Sequence, residues 1–264
     1  MFENFFSQMR YGVGSCLDYL TILDHKLSSQ RSLIQGPISI SGTSIAILAT
    51  YYEDRTMYMN QLQLEIEKNG FHVIRVRNSK SGLSSSKELG RRNRGFDLGI
   101  FRDVVGFLSG KVDEGQVYEI IYVNDSVEYQ PGTISRLIKL FREKEDRKVY
   151  SMFASKQRGY HLQSFILYMR FSDSQIIQLG HALSNFRNWK FKRTAVHRGE
   201  RALHTYLSAS GLSSEPLFPI EFLYSNFPKK TKGGSPKGNR GLEVNPTYTF
   251  IDDLSAVGIQ AKKF

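Results

Sequence analysis

The chain has 264 residues, enough for one large α/β domain or two small ones. Apolar residues make up 40% and charged residues 23%, which excludes a chain disordered throughout, because a core can be filled. Lys and Arg exceed Asp and Glu to leave +11, an excess that points to an anionic partner, and the single cysteine, Cys16, excludes an intrachain disulfide or a Cys-rich zinc site and fits a reducing cytoplasm.

No stretch approaches the ~18 consecutive apolar residues of a membrane span. Glu3 lies in the opening segment, with no basic run ahead of an apolar core, so no secretory signal is expected. Residues 1–43 read as an N-terminal helical extension: Phe5, Met9, Leu17, Leu20 and Leu23 recur at loose helical spacing and suit a packing arm. Gly36-Pro37 and Gly42 then punctuate the chain.

Ser44–Tyr51 is a near-continuous apolar run, the pattern of a strand buried on both faces. A helix is predicted over Arg55–Asn69, with Met59, Leu62 and Ile66 on one face and Asn69-Gly70 as its stop. A second strand, Phe71–Arg77, follows at once, so the pair implies a parallel crossover. Asn78–Arg92 reads as a Ser/Gly-rich loop and Asp97–Ser109 as a helix. Tyr118–Val123 is a buried strand, Thr133–Lys144 a helix, and Lys148–Ala154 and Phe165–Phe171 two more strands. Ser172 and Asp173 offer caps for a helix reaching Phe186. A short helix near Glu200–Ser208, a loop around Glu215 and Glu221, a basic loop over Pro228–Gly241 and a helix over Tyr248–Val257 complete the reading. Alternating β and α elements predict a doubly wound, mostly parallel α/β sheet flanked by helices, spanning residues 44–264.

Ligands of open α/β sheets bind at the carboxyl ends of the strands, so the polar residues closing each strand are the candidates. They are Thr50 and Tyr51, Asn78, and Asn124, Asp125 and Ser126. Asn93-Arg94-Gly95-Phe96-Asp97 is the densest motif: Gly95 permits close backbone approach and Arg94 can fork onto a phosphate. Asp97 can accept from a ribose hydroxyl or cap the helix it opens. Asp125 could hold a divalent cation on a diphosphate, or cap a turn. Neither Gly-x-Gly-x-x-Gly nor Gly-x-x-x-x-Gly-Lys-Ser/Thr occurs, which argues against dinucleotide and P-loop sites. The six histidines show no metal spacing; His161 stands out for its place just before a strand.

Asn93–Gly99, Ile121–Val127, His161–Phe165 and the tail Asn245–Lys262 together resemble the rhamnan synthesis protein F family of bacterial polysaccharide glycosyltransferases. The resemblance runs from Ser44 to Phe264 and implies a GT-A-like layout, in which an Arg-Asn segment precedes an Asp-x-Asp that holds Mn²⁺ or Mg²⁺ on the donor diphosphate. Arg92-Asn93 stands 32 positions before Asp125, but Asn124-Asp125-Ser126 has one carboxylate where that motif has two. The implied activity moves a sugar, rhamnose by the family's name, from a nucleoside-diphosphate donor to a growing surface polysaccharide with inversion. Asn93, Arg94, Asp97 and Asp125 then serve the donor, Gln163 and Ser164 the acceptor, and Glu200 the proton transfer, with His161 as a second catalytic candidate. The acceptor implied is a lipid-diphosphate-linked glycan, which would put the protein in the cytoplasm at the inner face of the cell membrane. A non-catalytic glycan- or nucleotide-binding module of the same fold is the rival reading. Nucleic acid is not expected as a partner, because the basic residues are dispersed and no such motif occurs.

Overall fold

The computed structural model describes residues 41–51, 55–79, 88–92, 96–155, 160–184, 186, 199–219 and 261–263, together with Cys16, which is exposed. Ser79, Arg92, Phe96, Asp97, Ser155, Glu200 and residues 261–263 are described through their backbone alone. The expected N-terminal extension up to residue 40, the basic loop over 228–241 and the helix over 248–257 lie outside the described residues.

The elements in chain order are β1 (Ser44–Thr50), α1 (Thr56–Glu67), β2 (His72–Ser79), β3 (Leu89–Arg92) and α2 (Phe96–Leu108). Next come β4 (Val117–Asn124), β5 (Val127–Tyr129), α3 (Thr133–Arg142), β6 (Lys148–Ser155), β7 (His161–Leu162) and β8 (Ile166–Ser172). The series closes with α4 (Asp173–Ser184), a 3₁₀ turn (Glu200–Ala202), α5 (Leu203–Ala209), β9 (Ser213–Phe218) and β10 (Ala261–Lys263). The main sheet runs β3-β2-β1-β4-β8-β6-β7, and β9 pairs in parallel with β6. β3, β2, β1 and β4 are mutually parallel, and β8 is antiparallel to both β4 and β6. The sheet is therefore mixed and mostly parallel, with β8 inserted against the common direction.

Three expectations need correction. The Asn78–Arg92 loop contains the end of β2 and the edge strand β3, paired Val76↔Leu89 to Ser79↔Arg92. Glu215 lies not in a loop but on β9, an edge strand in which Pro216 is tolerated because an edge spares one row of donors. The strand Phe165–Phe171, shifted by one residue to β8, runs antiparallel, a direction that an apolar run does not encode.

Alternation along β1 explains the layers. Ile45, Ile47 and Ala49 face a core built with Leu98, Phe101, Val105 and Leu108 of α2 and Ile176, Leu179 and Leu183 of α4. Ala46 and Leu48 face the other core, under Met59, Leu62 and Ile66 of α1 and Ile134, Leu137, Ile138 and Phe141 of α3. Each fully buried aliphatic contributes about 1.5–3 kcal/mol, so β1 is fixed by burial on both sides. α2 and α4 pack closely at Gly180: a Cβ there would meet Ser109 Oγ at 2.9 Å, so the serine side chain would have to shift.

Polar groups set the helix ends. Ser172 Oγ accepts from Gln175 N–H at 3.3 Å while Gln175 Oε1 accepts from Ser172 N–H at 3.1 Å, a reciprocal capping box opening α4. The start of α3 has no side-chain cap of its own, and Gly132 enters it at φ 85°. Glu65 of α1 supplies the cap instead, accepting from Gly132 N–H at 3.0 Å and Ser135 N–H at 2.7 Å.

At the amino edge of the sheet, Glu119 accepts from Arg142 at 2.7 and 2.9 Å, Tyr168 at 2.8 Å and Ser44 at 3.3 Å. Burial pushes its carboxyl up, but these hydrogen bonds and the Arg142 charge outweigh it and hold the group below the usual glutamate range. A depressed carboxyl stabilises the fold above its unfolded pKa, and the contribution is lost as pH falls through the folded value. Glu119→Gln is therefore expected to flatten the acid limb of thermal stability measured between about pH 3 and 7. An unchanged acid limb would show that this cluster does not couple folding to protonation.

Candidate functional site

β1 has β2 on one side and β4 on the other, so the chain reverses its strand order there. In open α/β sheets that reversal opens the crevice where ligands bind, outside the carboxyl ends. The carboxyl ends of β1, β2, β3, β4, β6 and β9 share one edge, because all six run the same way. The start of β8 lies on that edge as well.

The turn after β4 is locked to the end of β1 through a fully buried carboxylate. Asp125 N–H donates to Ala49 O at 3.2 Å, and Asp125 Oδ2 accepts from Tyr51 N–H at 2.8 Å. Arg55, just ahead of α1, donates from Nη1 to Asp125 O at 2.6 Å. Asn124 is fully buried: its Oδ1 accepts from Ser126 N–H at 3.0 Å and its Nδ2 donates to Ser164 O at 3.4 Å. Its own N–H donates to Phe165 O at 3.1 Å, so the β4 turn is tied on its other side to the segment entering β8. Thr50, 1% exposed, closes β1 with its Oγ1 lacking a hydrogen-bond partner among the described residues.

β5 continues from the turn and is held by Tyr58 of α1, whose hydroxyl donates to Val127 O at 3.3 Å and accepts from Tyr129 N–H at 2.8 Å. Burial pushes the Tyr58 phenol well above its ordinary value, so it keeps its proton and its donor role. β10 pairs antiparallel with β5, setting Lys262 opposite Glu128 and Lys263 opposite Val127.

One strand beyond β1, Asn78 closes β2 opposite Arg91 of β3. Arg91 is fully buried; its Nε donates to Asp103 Oδ2 at 2.6 Å and its Nη1 to Asn78 Oδ1 at 2.9 Å. A buried guanidinium needs this compensation, because an unpaired charge in the interior is costly.

Past the end of β6 lies β7, where His161 and Leu162 pair with Ser155 and Ala154. His161 is 7% exposed, and its Nε2 lies 3.3 Å from Gln163 Nε2. Gln163 N–H donates to Phe153 O at 3.0 Å, and Ser164 is buried. The 3₁₀ turn that Glu200 opens packs against β7, as does α5. Tyr160 meets His204 of α5 edge-on at 5.7 Å, and His204 Nδ1 lies 2.8 Å from Ser214 Oγ.

The structure thus brings Thr50, Tyr51, Asn124, Asp125 and Ser126 together at the switch point, with Asn78 one strand away. Gln163 and Ser164 adjoin them through the Asn124–Ser164 bond, and the turn that Glu200 opens packs against β7, which His161 begins. Asn93 and Arg94 lie outside the described residues, and Asp97 is placed by its backbone alone in the first turn of α2. Sequence reasoning missed Arg91 and Asp103, because charged residues near a Ser/Gly-rich stretch look solvated. The available signal was Leu89-x-Arg91, which puts the arginine on the same strand face as a core leucine.

Among the described residues no group of three or more His, Cys, Asp and Glu side chains is arranged to hold a metal ion. No described helix is long and apolar enough to cross a membrane. Searches against protein-family models and curated proteins found no match.

The Asp125 lock has a measurable cost of removal. Asp125→Ala is expected to lower the unfolding free energy by about 2–3 kcal/mol, because the Tyr51 N–H loses a charge-assisted partner. Asp125→Asn keeps an acceptor and is expected to lose less. Urea unfolding of both variants checks the order.

Proposed function

We propose that this chain is a GT-A-like glycosyltransferase, akin to the rhamnan synthesis protein F family, that moves a sugar from a nucleoside-diphosphate donor to a glycan acceptor. The observation that carries this reading is the meeting, on one sheet edge, of the β1–β4 switch point with the β7 segment and the Glu200 turn. Such an edge accommodates a nucleotide along the strand ends and an acceptor at the far side. The doubly wound half, β3-β2-β1-β4, supports the donor assignment of Thr50, Tyr51, Asn78, Asn124, Asp125 and Ser126. Asn93, Arg94 and Asp97 join them as donor residues on the strength of their motif.

Transfer with inversion needs a carboxylate to take the acceptor hydroxyl proton while that oxygen attacks the anomeric carbon. The new C–O bond forms opposite the breaking bond to the nucleoside diphosphate, which leaves with the electron pair. Glu200 is assigned this base role. His161, whose Nε2 lies 3.3 Å from Gln163 Nε2, is assigned to orienting the acceptor hydroxyl, with Gln163 and Ser164 on the acceptor side. A divalent cation, Mn²⁺ or Mg²⁺, would be held by Asp125 and the donor's own phosphate oxygens, and would neutralise charge on the leaving diphosphate. The +11 charge suits an anionic donor and a lipid-diphosphate acceptor at the cytoplasmic membrane face, as in bacterial surface polysaccharide synthesis.

A thermal-shift panel of dTDP-, UDP- and GDP-sugars, with and without Mn²⁺, tests the donor half. A true donor at one hundred times its Kd is expected to add roughly 2.7 kcal/mol of stability. Absence of any shift at millimolar nucleotide would overturn the reading. For the catalytic half, Glu200→Gln is expected to bind the donor normally and to lose about 10²–10⁴-fold in transfer rate. Near-normal turnover would return Glu200 to a solvated helix position.

A further inference from the structure

Among the described residues, the carboxamide of Asn78 is held from one end only. Arg91 Nη1 donates to its Oδ1 at 2.9 Å, and a guanidinium has no acceptor to offer, so the contact settles which end of the amide is oxygen and which nitrogen. Arg91 is itself fixed by Asp103 Oδ2 at 2.6 Å. Asp103 is fixed in turn by Arg102 Nε at 2.8 Å, and Arg102 Nη1 donates to Phe186 O at 2.8 Å. This chain of contacts runs from the α4 end through α2 and β3 to the last turn-facing position of β2. At its end, Asn78 Nδ2 is buried and has no hydrogen-bond partner among the described residues, and the residue keeps 6% exposure. A buried N–H without an acceptor forfeits the bond it made to water, so the fold alone gains nothing from that amide nitrogen.

We propose that Arg91 and Asp103 are positioning residues that hold Asn78 as an N–H donor for a keto oxygen on the donor nucleotide's base. The proposal rests on the nucleotide-sugar reading above and adds the chemistry by which the base is chosen. Neighbouring strands lie about 4.8 Å apart, so the end of β2 stands roughly 10 Å from the end of β4 across β1. That is about the reach of a nucleoside from base to diphosphate, with the diphosphate at the Asp125 turn. Uracil and thymine carry a keto oxygen where cytosine carries an amino group, and guanine carries one where adenine carries an amino group. A fixed N–H donor welcomes the first of each pair and opposes the second.

Calorimetric titration of the full chain with UDP, CDP, GDP and ADP tests this. Wild type is expected to bind UDP over CDP, and GDP over ADP, by roughly tenfold to a hundredfold. Asn78→Asp keeps the shape but replaces the donor with an acceptor, and is expected to abolish or reverse the preference. Asp103→Asn leaves Asn78 intact but loosens Arg91, and is expected to shrink the keto-to-amino ratio toward one while keto nucleotides still bind. A merely structural role would lower the melting temperature of Asp103→Asn and leave that ratio unchanged, which would overturn the proposal. Equal wild-type affinity within each pair would overturn it too, with the nucleotide reading intact. Failure of every nucleotide to bind would remove both.

Discussion

A single buried carboxylate joins the two halves of this sheet where a ligand would lie. Asp125 accepts from Tyr51 N–H, donates its own N–H to Ala49 O and has its carbonyl taken by Arg55. The first two bonds extend the parallel β1–β4 pairing one step past its last register pair, Ala49↔Asn124. The third ties the entrance of α1 to the same turn. Strand end, helix start and turn therefore cannot shift separately, and β5, held by Tyr58 of that same helix, inherits the constraint. A carboxylate removed from water is costly, and the Tyr51 N–H offsets part of that cost at Oδ2.

The sheet's two faces deliver different chemistry to that edge. Alternation puts Ala46, Leu48 and then Thr50 of β1 toward α1 and α3, whereas Ile74, Val76 and then Asn78 of β2 face α2 and α4. The Asp125 lock is made with residues that precede α1; the Asn78–Arg91–Asp103 relay is made with α2. Because the two share no side chain, changes in one are expected to leave the other's hydrogen bonds in place. The two networks at this edge can thus be altered independently.

Much of this was legible in the residues, and the failures have physical causes. β1 and β4 are continuous apolar runs, so burial on both faces identified them, and the polar residues closing them identified the edge. β3 escaped because four residues, two of them arginine, carry too little apolar signal; Arg91 is buried by virtue of Asp103, twelve positions away in another element. β9 escaped because Glu215 and Pro216 read as a loop, although an edge strand with one row of free donors accepts both. Strand direction was illegible in principle: Ile166–Ser172 looks the same whichever way it runs, and only its pairing with Val117–Val123 reveals the reversal.

That reversal matters for the proposed acceptor side. Because β8 runs against its neighbours, its amino end, not its carboxyl end, meets the ligand edge, and the preceding residues Gln163, Ser164 and Phe165 are drawn there with it. Asn124 then spends its whole carboxamide on this junction, donating to Ser164 O and accepting from Ser126 N–H. An aspartate at that position would accept but not donate, and would set two buried carboxylates side by side at the strand end. A second acid beside Asp125 would thus strengthen a cation site at the expense of the bond that fastens β8 to β4. The asparagine before Asp125 is accordingly explained by the antiparallel strand: the sheet uses that residue to hold the segment entering β8 against β4.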